Sequence, residues 1–453
     1  MIAFLRSPLA LDLRRFVSAF VSRFGSTFLS FLVLLVASRL LPIDEYGLYV
    51  FLFSIGSALG LIAALGQQIL VLKHYRRDAT PDDAGNRALL RVNALWLGLG
   101  CGALGLGALA LIAFGSGLPH PYDYLWIAFL FAAAFALSEY LQSYFRIHGR
   151  INLSLLPREI FWRATSSLGM AAAAAIGLLS GGVAAMAVVT ILLGAATAYQ
   201  LVHFLKDEGL DWLRRPVAAP PGWRAETHYF IANNVLNSAQ AYLETILIGA
   251  LLGLDKAAFY FVALRISQLL TLPVAAIDTV GVPMIAERFQ QRDDAGAQQI
   301  VGRLSMGAFV ISAFGAVGLA IVSPFVLHLF NAAFVEHVDV LVVLCVTAVS
   351  HAFFGPGSWL LMIGGGERYF LIARGVLFVA YLGLLYALGM TFGLIGVAFA
   401  GLAFTAASNF VAARWIARVQ GIDVMATSFV RPFPFGSPTR GRTVPRPSLE
   451  PAE

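Results

Sequence analysis

Five polar side chains recur at helical spacing between residues 229 and 244. Tyr229, Asn233, Asn237, Gln240 and Glu244 are separated by 4, 4, 3 and 4 positions, which places them on one face of an α-helix. In a helix that crosses a membrane, lipid satisfies none of these groups, so the face needs water, a polar ligand or a polar neighbouring helix. The stripe therefore predicts either the lining of a polar cavity or a set of interhelical hydrogen bonds.

Two arginines lie within apolar segments, and their chemistry suits an anionic ligand. A guanidinium offers a fixed fork of donors that can bind phosphate through two hydrogen bonds, most strongly where the dielectric constant is low. Arg23 and Arg265 are the two candidates. For each, the alternative is that the long side chain extends to the membrane–water interface, and Arg265 can also pair with an acid.

Three carboxylates, Glu139, Glu244 and Asp278, also fall in apolar segments. A carboxylate there can carry a proton or a sodium ion if its surroundings change between two conformations, or it can form a static ion pair with arginine. Asp278 follows Arg265 by thirteen residues, about 220° around an ideal helix, so the two share no face unless Pro273 reorients the segment. The three acids are therefore candidates for ion coupling, with ion pairing as the alternative.

The remaining chemistry-bearing residues favour structural roles. His351 precedes a run from Phe353 to Gly357 that is typical of a kinked helix, where a lone histidine favours a structural hydrogen bond. Cys101 and Cys345 lie in separate apolar segments and are interpreted as small buried residues. The sequence predicts no catalytic residue, metal site or bound cofactor, and leaves coupling to protons or sodium open.

Membrane-spanning helices must position these residues. The 453-residue chain is 59% hydrophobic and 12% charged, with a mean hydropathy of +0.79. Apolar runs of about 18 residues or more, long enough to cross a hydrocarbon core of about 30 Å as helices, recur along it. The twelve predicted spans are residues 16–41, 46–72, 88–114, 122–145, 153–178, 181–204, 226–252, 257–284, 301–325, 337–363, 368–390 and 393–416.

The distribution of basic residues predicts how the spans are oriented. Arginine and lysine concentrate before span 1 and in alternate loops; the loop between spans 4 and 5, for example, holds Arg146, Arg150 and Arg158. By the positive-inside rule both termini are cytoplasmic. Topology thereby explains the net charge of +6 without a nucleic-acid partner.

A weak internal repeat relates the two halves at an offset of 211 residues. Residues 40–45, LLPIDE, align with residues 251–256, LLGLDK, and Tyr49 aligns with Tyr260. Each half contains six spans, so the halves run in the same direction and are related by a pseudo-two-fold axis along the membrane normal. The alternative is a chance similarity between two apolar hairpins.

The repeat also sets the predicted domains and compares span 7 with span 1. The same offset maps Asn233 and Asn237 onto Ser22 and Ser26, which gives span 1 a small polar face. The predicted segments are an interfacial N-terminus at 1–15, an N-lobe at 16–205, a cytoplasmic linker at 206–225, a C-lobe at 226–417 and a disordered cytoplasmic tail at 418–453.

Two segments carry a resemblance to a known family. SRLLPIDEYGLYVFLFSIGSALGLIAALG, at residues 38–66, and FYFVALRISQLLTLPVAAIDTVGVPMIAERF, at residues 259–289, resemble polysaccharide-biosynthesis flippases. These are the O-antigen-type oligosaccharidyl-lipid translocases of the multidrug/oligosaccharidyl-lipid/polysaccharide flippase superfamily. The resemblance extends over residues 10–418 in span number, lobe organisation and short loops.

The resemblance implies a non-enzymatic flippase in the bacterial inner membrane that moves a polyprenyl-diphosphate-linked oligosaccharide. Arg23 and Arg265 would hold the diphosphate, and the hydroxyl and amides of span 7 would bind the sugar. The implied partners are the lipid-linked oligosaccharide, membrane lipids, a polysaccharide polymerase and export proteins. The alternatives are a proton- or sodium-coupled multidrug exporter of the same superfamily and a membrane glycan polymerase or ligase. The lack of a domain-sized loop counts against the last.

Overall fold

The computed structural model describes residues 25–77, 83–210, 212, 222–272, 274–275, 281, 284–285, 288, 291, 293–357, 360–361 and 365–430. The described residues form helices and turns without a strand, which confirms the all-α membrane class. Among them are eight helices long and apolar enough to cross a membrane. The α-helices are α1 Gly25–Leu40, α2 Ile43–Ala63, α3 Gln67–His74, α4 Ala84–Phe114, α5 Leu125–Ile147, α6 Ile151–Leu155, α7 Trp162–Ala175, α8 Gly182–Glu208, α9 Gly222–Leu251, α10 Leu254–Gln268, α11 Asp294–Phe330, α12 Val338–Phe353, α13 Glu367–Phe392 and α14 Leu394–Val419.

The described residues of each predicted span are largely helical, but several spans are interrupted, among them spans 2, 5 and 10. Span 10 turns at residues 354–356, where Gly355 has a φ of 56°. Span 2 consists of α2 and α3, separated at Leu65 and Gly66, whose φ values of 47° and 76° break the right-handed helix. Span 5 consists of α6, a π-helical segment Leu156–Phe161, and α7. Pro157 has no backbone N–H to donate, which favours a local change of helical pitch there.

The polar interruption between α1 and α2 fixes the start of two helices. Pro42 has an extended backbone (φ −55°, ψ 155°), and the acids of the first turn of α2 stabilise its dipole. Glu45 also accepts a hydrogen bond of 2.6 Å from the backbone N–H of Gly182, at the start of α8. Only glycine fits at 182, because a Cβ there would overlap the backbone carbonyl of Glu45.

Internal contacts divide the chain into unit 1, residues 1–258, and unit 2, residues 259–453. Helix α9 packs within unit 1, against α2. The repeat instead predicts lobes that divide at residues 206–225, before α9. The boundaries of the lobes therefore remain a prediction.

Helix α9 lies along α2 through close backbone contacts. The Ser238 hydroxyl donates to the carbonyl of Ala58 at 2.9 Å, and Asn234 Nδ2 donates to the carbonyl of Leu61 at 3.2 Å. Gly249 allows a close approach nearer the other end, because a Cβ there would overlap an aromatic ring of α2. These contacts fix the rotation of α9, and so decide which of its faces is accessible.

In unit 2, the chain after α14 folds back and packs. Gln298 of α11 exchanges two hydrogen bonds with the backbone of Asp423, at 2.8 and 2.9 Å, and Val424 is fully buried. This corrects the predicted disordered tail at 418–453 for residues 418–430 only, which complete α14 and then pack against α11. Apolar residues such as Val424 within the polar tail were the available signal, and residues 431–453 lie outside the description.

Candidate functional site

The predicted polar stripe on α9 lies beside the face that packs against α2. Tyr229 is 42% exposed and Asn237 is exposed, whereas Asn233, Gln240 and Glu244 are half-buried. All five are more accessible than the polar residues of the packed face. Their role as a cavity lining remains a prediction.

Sequence patterning missed the second polar face of α9. Thr227, Asn234, Ser238 and Thr245 are buried and recur at steps of 7, 4 and 7 positions. Asn234 and Ser238 make the hydrogen bonds to α2, so this face of α9 forms interhelical hydrogen bonds. The signal was present, since small polar residues at such spacing are typical of packed membrane helices.

A cluster of charged side chains surrounds the π-helical segment. A π-helix has a wider turn than an α-helix and is frequent at functional sites. The consecutive residues Arg158 and Glu159 reach different neighbours: Arg158 contacts α5, whereas Glu159 contacts α1. Span 5 thereby carries two ion pairs in a part of the chain predicted to lie within the membrane.

Arg158 forms the more buried pair. Its guanidinium donates to Glu139 Oε1 at 2.6 Å and to Gln142 Oε1 at 2.9 Å, and it lies 4.4 Å from the centre of the Phe135 ring. No more than 9% of the Arg158 side chain is accessible. Glu139, one of the predicted coupling acids, therefore neutralises Arg158 in this structure, as the ion-pair alternative states.

Glu159 and Arg163 form the second pair, one helical turn apart. Arg163 Nη1 donates to Glu159 Oε2 and to the Ser26 hydroxyl, which itself donates to Glu159 Oε2 at 2.5 Å. Arg163 also donates to the Ser26 carbonyl at 3.2 Å. The accessible fractions of the Arg163 and Glu159 side chains are 20% and 19%, so this pair is more open than the first. Ser26 connects α1 to it.

These arginines correct the sequence interpretation. Arg158 was counted with the basic loop between spans 4 and 5, although the predicted span 5 at 153–178 already includes it, and the structure places it in the π-helical segment of that span. Arg163 was missing from the predicted intramembrane cations. The charged run after Pro157 resembles loop sequence. The four-residue spacing of Glu159 and Arg163, which is typical of a helical ion pair, was the available signal.

The other predicted site residues are distributed over the chain. Arg265 lies on α10 in unit 2, where it donates to Gln268 Oε1 at 3.0 Å and stands 4.8 Å from the centre of the Phe261 ring. Arg23 and Asp278 lie outside the described residues. Within the described part of the chain, no group of three His, Cys, Asp or Glu side chains could hold a metal ion.

Unit 2 contains a smaller polar cluster at the predicted kink. Helix α12 ends at Phe353, two residues after His351. Asn409 Nδ2 donates to His351 Nδ1 at 3.2 Å, in agreement with a structural role for this histidine. On α13, the Arg374 guanidinium lies 5.3 Å from the centre of the Phe370 ring.

A polar network joins the ends of α3, α5, α8 and α9. Glu208 Oε1 accepts hydrogen bonds of 2.5 Å from the hydroxyls of Tyr75 and Tyr144. Burial, reinforced by the hydrogen bond to Glu208, raises the pKa of Tyr75 above its ordinary value. Lys73 Nζ lies 2.9 Å from Glu226 at the start of α9. These contacts hold four helix ends together within unit 1.

Solved transporter structures match the fold over most of the chain, whereas no protein-family model and no curated protein matches its sequence. A MATE structure in the straight conformation has 14% identity and a TM-score of 0.56, and covers 87% of this chain and 92% of that chain. A MOP-superfamily transporter from Pyrococcus furiosus has 15% identity and a TM-score of 0.54 at the same coverage. The chain is thus a multi-pass membrane protein with the fold of MOP-superfamily transporters.

A flippase structure also shares this fold. The lipid II flippase MurJ, in an inward closed conformation, matches with a TM-score of 0.64 and 12% identity, and covers 88% of this chain and 86% of that chain. Such identities show the common fold alone. The predicted resemblance is therefore confirmed at the level of the superfamily fold, and its O-antigen-type specificity stays a proposal.

Proposed function

We propose that this protein is a flippase that moves a polyprenyl-diphosphate-linked oligosaccharide across the bacterial inner membrane for the synthesis of surface polysaccharide. The proposal is carried by guanidinium groups in the helical spans of an apolar chain, among them those of Arg158, Arg163, Arg265 and Arg374. A charge at the centre of a membrane helix costs about 2.5–3.5 kcal/mol on insertion scales, so such arginines need an anionic ligand or partner. A lipid diphosphate is a suitable ligand, whereas a cationic drug is not.

In the proposed mechanism, different residues hold the two polar parts of the substrate. Arg23 and Arg265 bind the diphosphate through their guanidinium forks. The accessible face of α9 hydrogen-bonds the sugars, while the prenyl tail stays in lipid and the lobes alternate access. The sugar-binding residues are Tyr229, Asn233, Asn237 and Gln240.

Ion coupling, if it drives the cycle, is assigned first to Glu244. Glu139 ranks below it because it neutralises Arg158, and Asp278 is the third candidate. Both termini are proposed to be cytoplasmic, so that the substrate enters from the leaflet where it is made. The proposed partners that receive or extend the product are a polysaccharide polymerase and export proteins, and no residue has a catalytic role.

Replacement of Arg265 by alanine tests the anion-binding role. In cells that depend on this protein, Arg265→Ala should abolish export of the lipid-linked glycan while the amount of protein in the membrane stays unchanged. Arg288→Ala is the matched control, because Arg288 forms an exposed ion pair with Asp293 at 2.9 Å and should tolerate the change. Normal export by Arg265→Ala would refute its proposed role.

A proton- or sodium-coupled multidrug exporter is the second candidate, favoured by the MATE structures that share the fold. Expression in a strain without its own drug exporters separates the two functions. Resistance to cationic dyes that is lost in Glu244→Gln would favour the exporter, and unchanged sensitivity would favour the flippase. A glycan polymerase or ligase is disfavoured, because the matching structures are transporters and a flippase.

A further inference from the structure

The two ion pairs of unit 1 differ in what surrounds them. Arg158 is enclosed by Glu139, Gln142 and an aromatic ring, and its side chain is almost inaccessible. Arg163 and Glu159 each keep about a fifth of their side chain accessible. A ligand could therefore reach the second pair with less rearrangement than the first.

Ser26 of another helix, α1, also contacts the second pair. Arg163 and Glu159 lie on the same span, four residues apart, whereas Ser26 lies on α1. A shift of α1 would remove the Ser26 hydroxyl and carbonyl from Arg163 without separating Arg163 from Glu159. The result would be an accessible arginine that still has its counter-ion.

The internal repeat separates the role of the arginine from that of the acid. Adding 211 maps Arg163 onto Arg374 and Glu159 onto Phe370. In unit 2 the Arg374 guanidinium stands beside the Phe370 ring, so the aromatic ring occupies the position of the acid. The arginine is thus present at this point of both repeats, whereas the acid at the preceding turn is present in one.

We propose that Arg163 is a phosphate-binding residue and that Glu159 is its resident counter-ion, which a phosphate oxygen of the substrate replaces. This rests on the proposed function, because it requires a substrate with a phosphate or diphosphate group. Carboxylate and phosphate oxygens compete for the same guanidinium fork, so the exchange breaks no covalent bond.

Such an exchange would keep the Arg163 guanidinium paired with an anion throughout the cycle. Without substrate, Glu159 pairs with Arg163, so that the guanidinium is neutralised within the membrane. With substrate bound, the phosphate takes over the guanidinium and Glu159 turns toward the space that Ser26 has left. When the substrate departs, Glu159 pairs with Arg163 again, which favours release.

Binding of farnesyl diphosphate to the purified full-length protein in lipid nanodiscs tests the exchange. Glu159→Gln removes the competing charge and should tighten binding about tenfold, while Arg163→Gln should weaken it about tenfold, each equal to the loss or gain of one charge-assisted contact. Farnesol, which lacks the diphosphate, should bind all variants equally. Asp207→Asn is the matched control and should not tighten binding, because the ion pair that it breaks, with Arg150, lies on the surface.

The outcomes separate this inference from the proposed function. If the parent protein prefers farnesyl diphosphate to farnesol but Glu159→Gln binds no tighter, the counter-ion role is refuted and the flippase proposal stands. If the parent shows no such preference and no variant gains it, both are refuted. Should Glu159→Gln lower the yield of folded protein, Glu159→Asp, whose shorter side chain weakens the pair, must still tighten binding relative to the parent.

Discussion

Replacement of Glu139 by glutamine tests the buried charge cluster most directly. The change leaves the Arg158 guanidinium without its counter-charge at a site where 9% of the arginine side chain is accessible. Removing one member of a buried ion pair costs about 3–5 kcal/mol, because the remaining charge is uncompensated. Since 18% of the Glu139 side chain is accessible, water can reach the site and a cost near the lower end, about 3 kcal/mol, is expected.

Replacement of Arg158 by methionine should cost less than Glu139→Gln. A carboxyl group left behind can take up a proton and become neutral, whereas a guanidinium left behind stays charged. The double replacement removes both charges, so it should recover most of the loss caused by Glu139→Gln alone. The effects of the two replacements should therefore be strongly non-additive.

The assay is reversible unfolding of the purified protein in mixed detergent micelles, with Asp207→Asn as a control. Asp207 pairs with Arg150 at 2.6 Å on the surface, where the arginine side chain is 47% accessible, and its loss should cost less than about 1 kcal/mol. The reasoning is refuted if Glu139→Gln is as stable as Asp207→Asn. It is also refuted if the double replacement is no more stable than Glu139→Gln.

Three further contacts give predictions of their own: the contact between α2 and α9, the hydrogen bond of Tyr75, and the hydrogen bonds of Gln298. Ala58→Cys with Ser238→Cys, in a chain whose native cysteines are replaced, should form a disulfide between α2 and α9, seen as a shift in gel mobility; failure to cross-link would contradict the described packing. Because burial raises the pKa of Tyr75, its contribution to the free energy of unfolding should be fully present below about pH 10 and should be lost as the pH rises past that value. Tyr75→Phe should therefore reduce the alkaline fall of the free energy of unfolding. An unchanged alkaline slope would contradict this coupling. Gln298→Ala should cost about 1–2 kcal/mol and expose the chain after α14 to limited proteolysis, and protection equal to the parent would argue against the packed segment.

The positions of the spans were predictable because a bilayer requires long apolar helices, which composition alone reveals. The interruption of span 2 was not, because the left-handed backbone at Leu65 and Gly66 lies in an apolar run. A Cβ at Gly66 would overlap Phe230, so this break depends on a helix far away in the sequence. The sequence around Leu65 and Gly66 does not indicate such a contact.

The candidate site was predictable where its geometry lies within one helix. The spacing of Asn233 and Asn237 indicated a shared face, and the four-residue spacing of Glu159 and Arg163 was equally readable. Side-chain pairs between different helices could not be predicted from the sequence, because they depend on how each helix is rotated against its neighbour. Ser26 and Arg163, for example, are 137 positions apart and meet only in the folded chain.

Transport in reconstituted liposomes tests the proposed function most directly. A fluorescent polyprenyl-diphosphate-linked oligosaccharide is placed in both leaflets, and a membrane-impermeant quencher is added outside. A flippase should make the inner-leaflet label accessible, so that the purified protein extinguishes nearly all fluorescence, whereas Arg265→Ala behaves like empty liposomes. If the protein leaves the inner-leaflet label protected but moves cationic dyes, the flippase proposal is contradicted and the exporter is favoured.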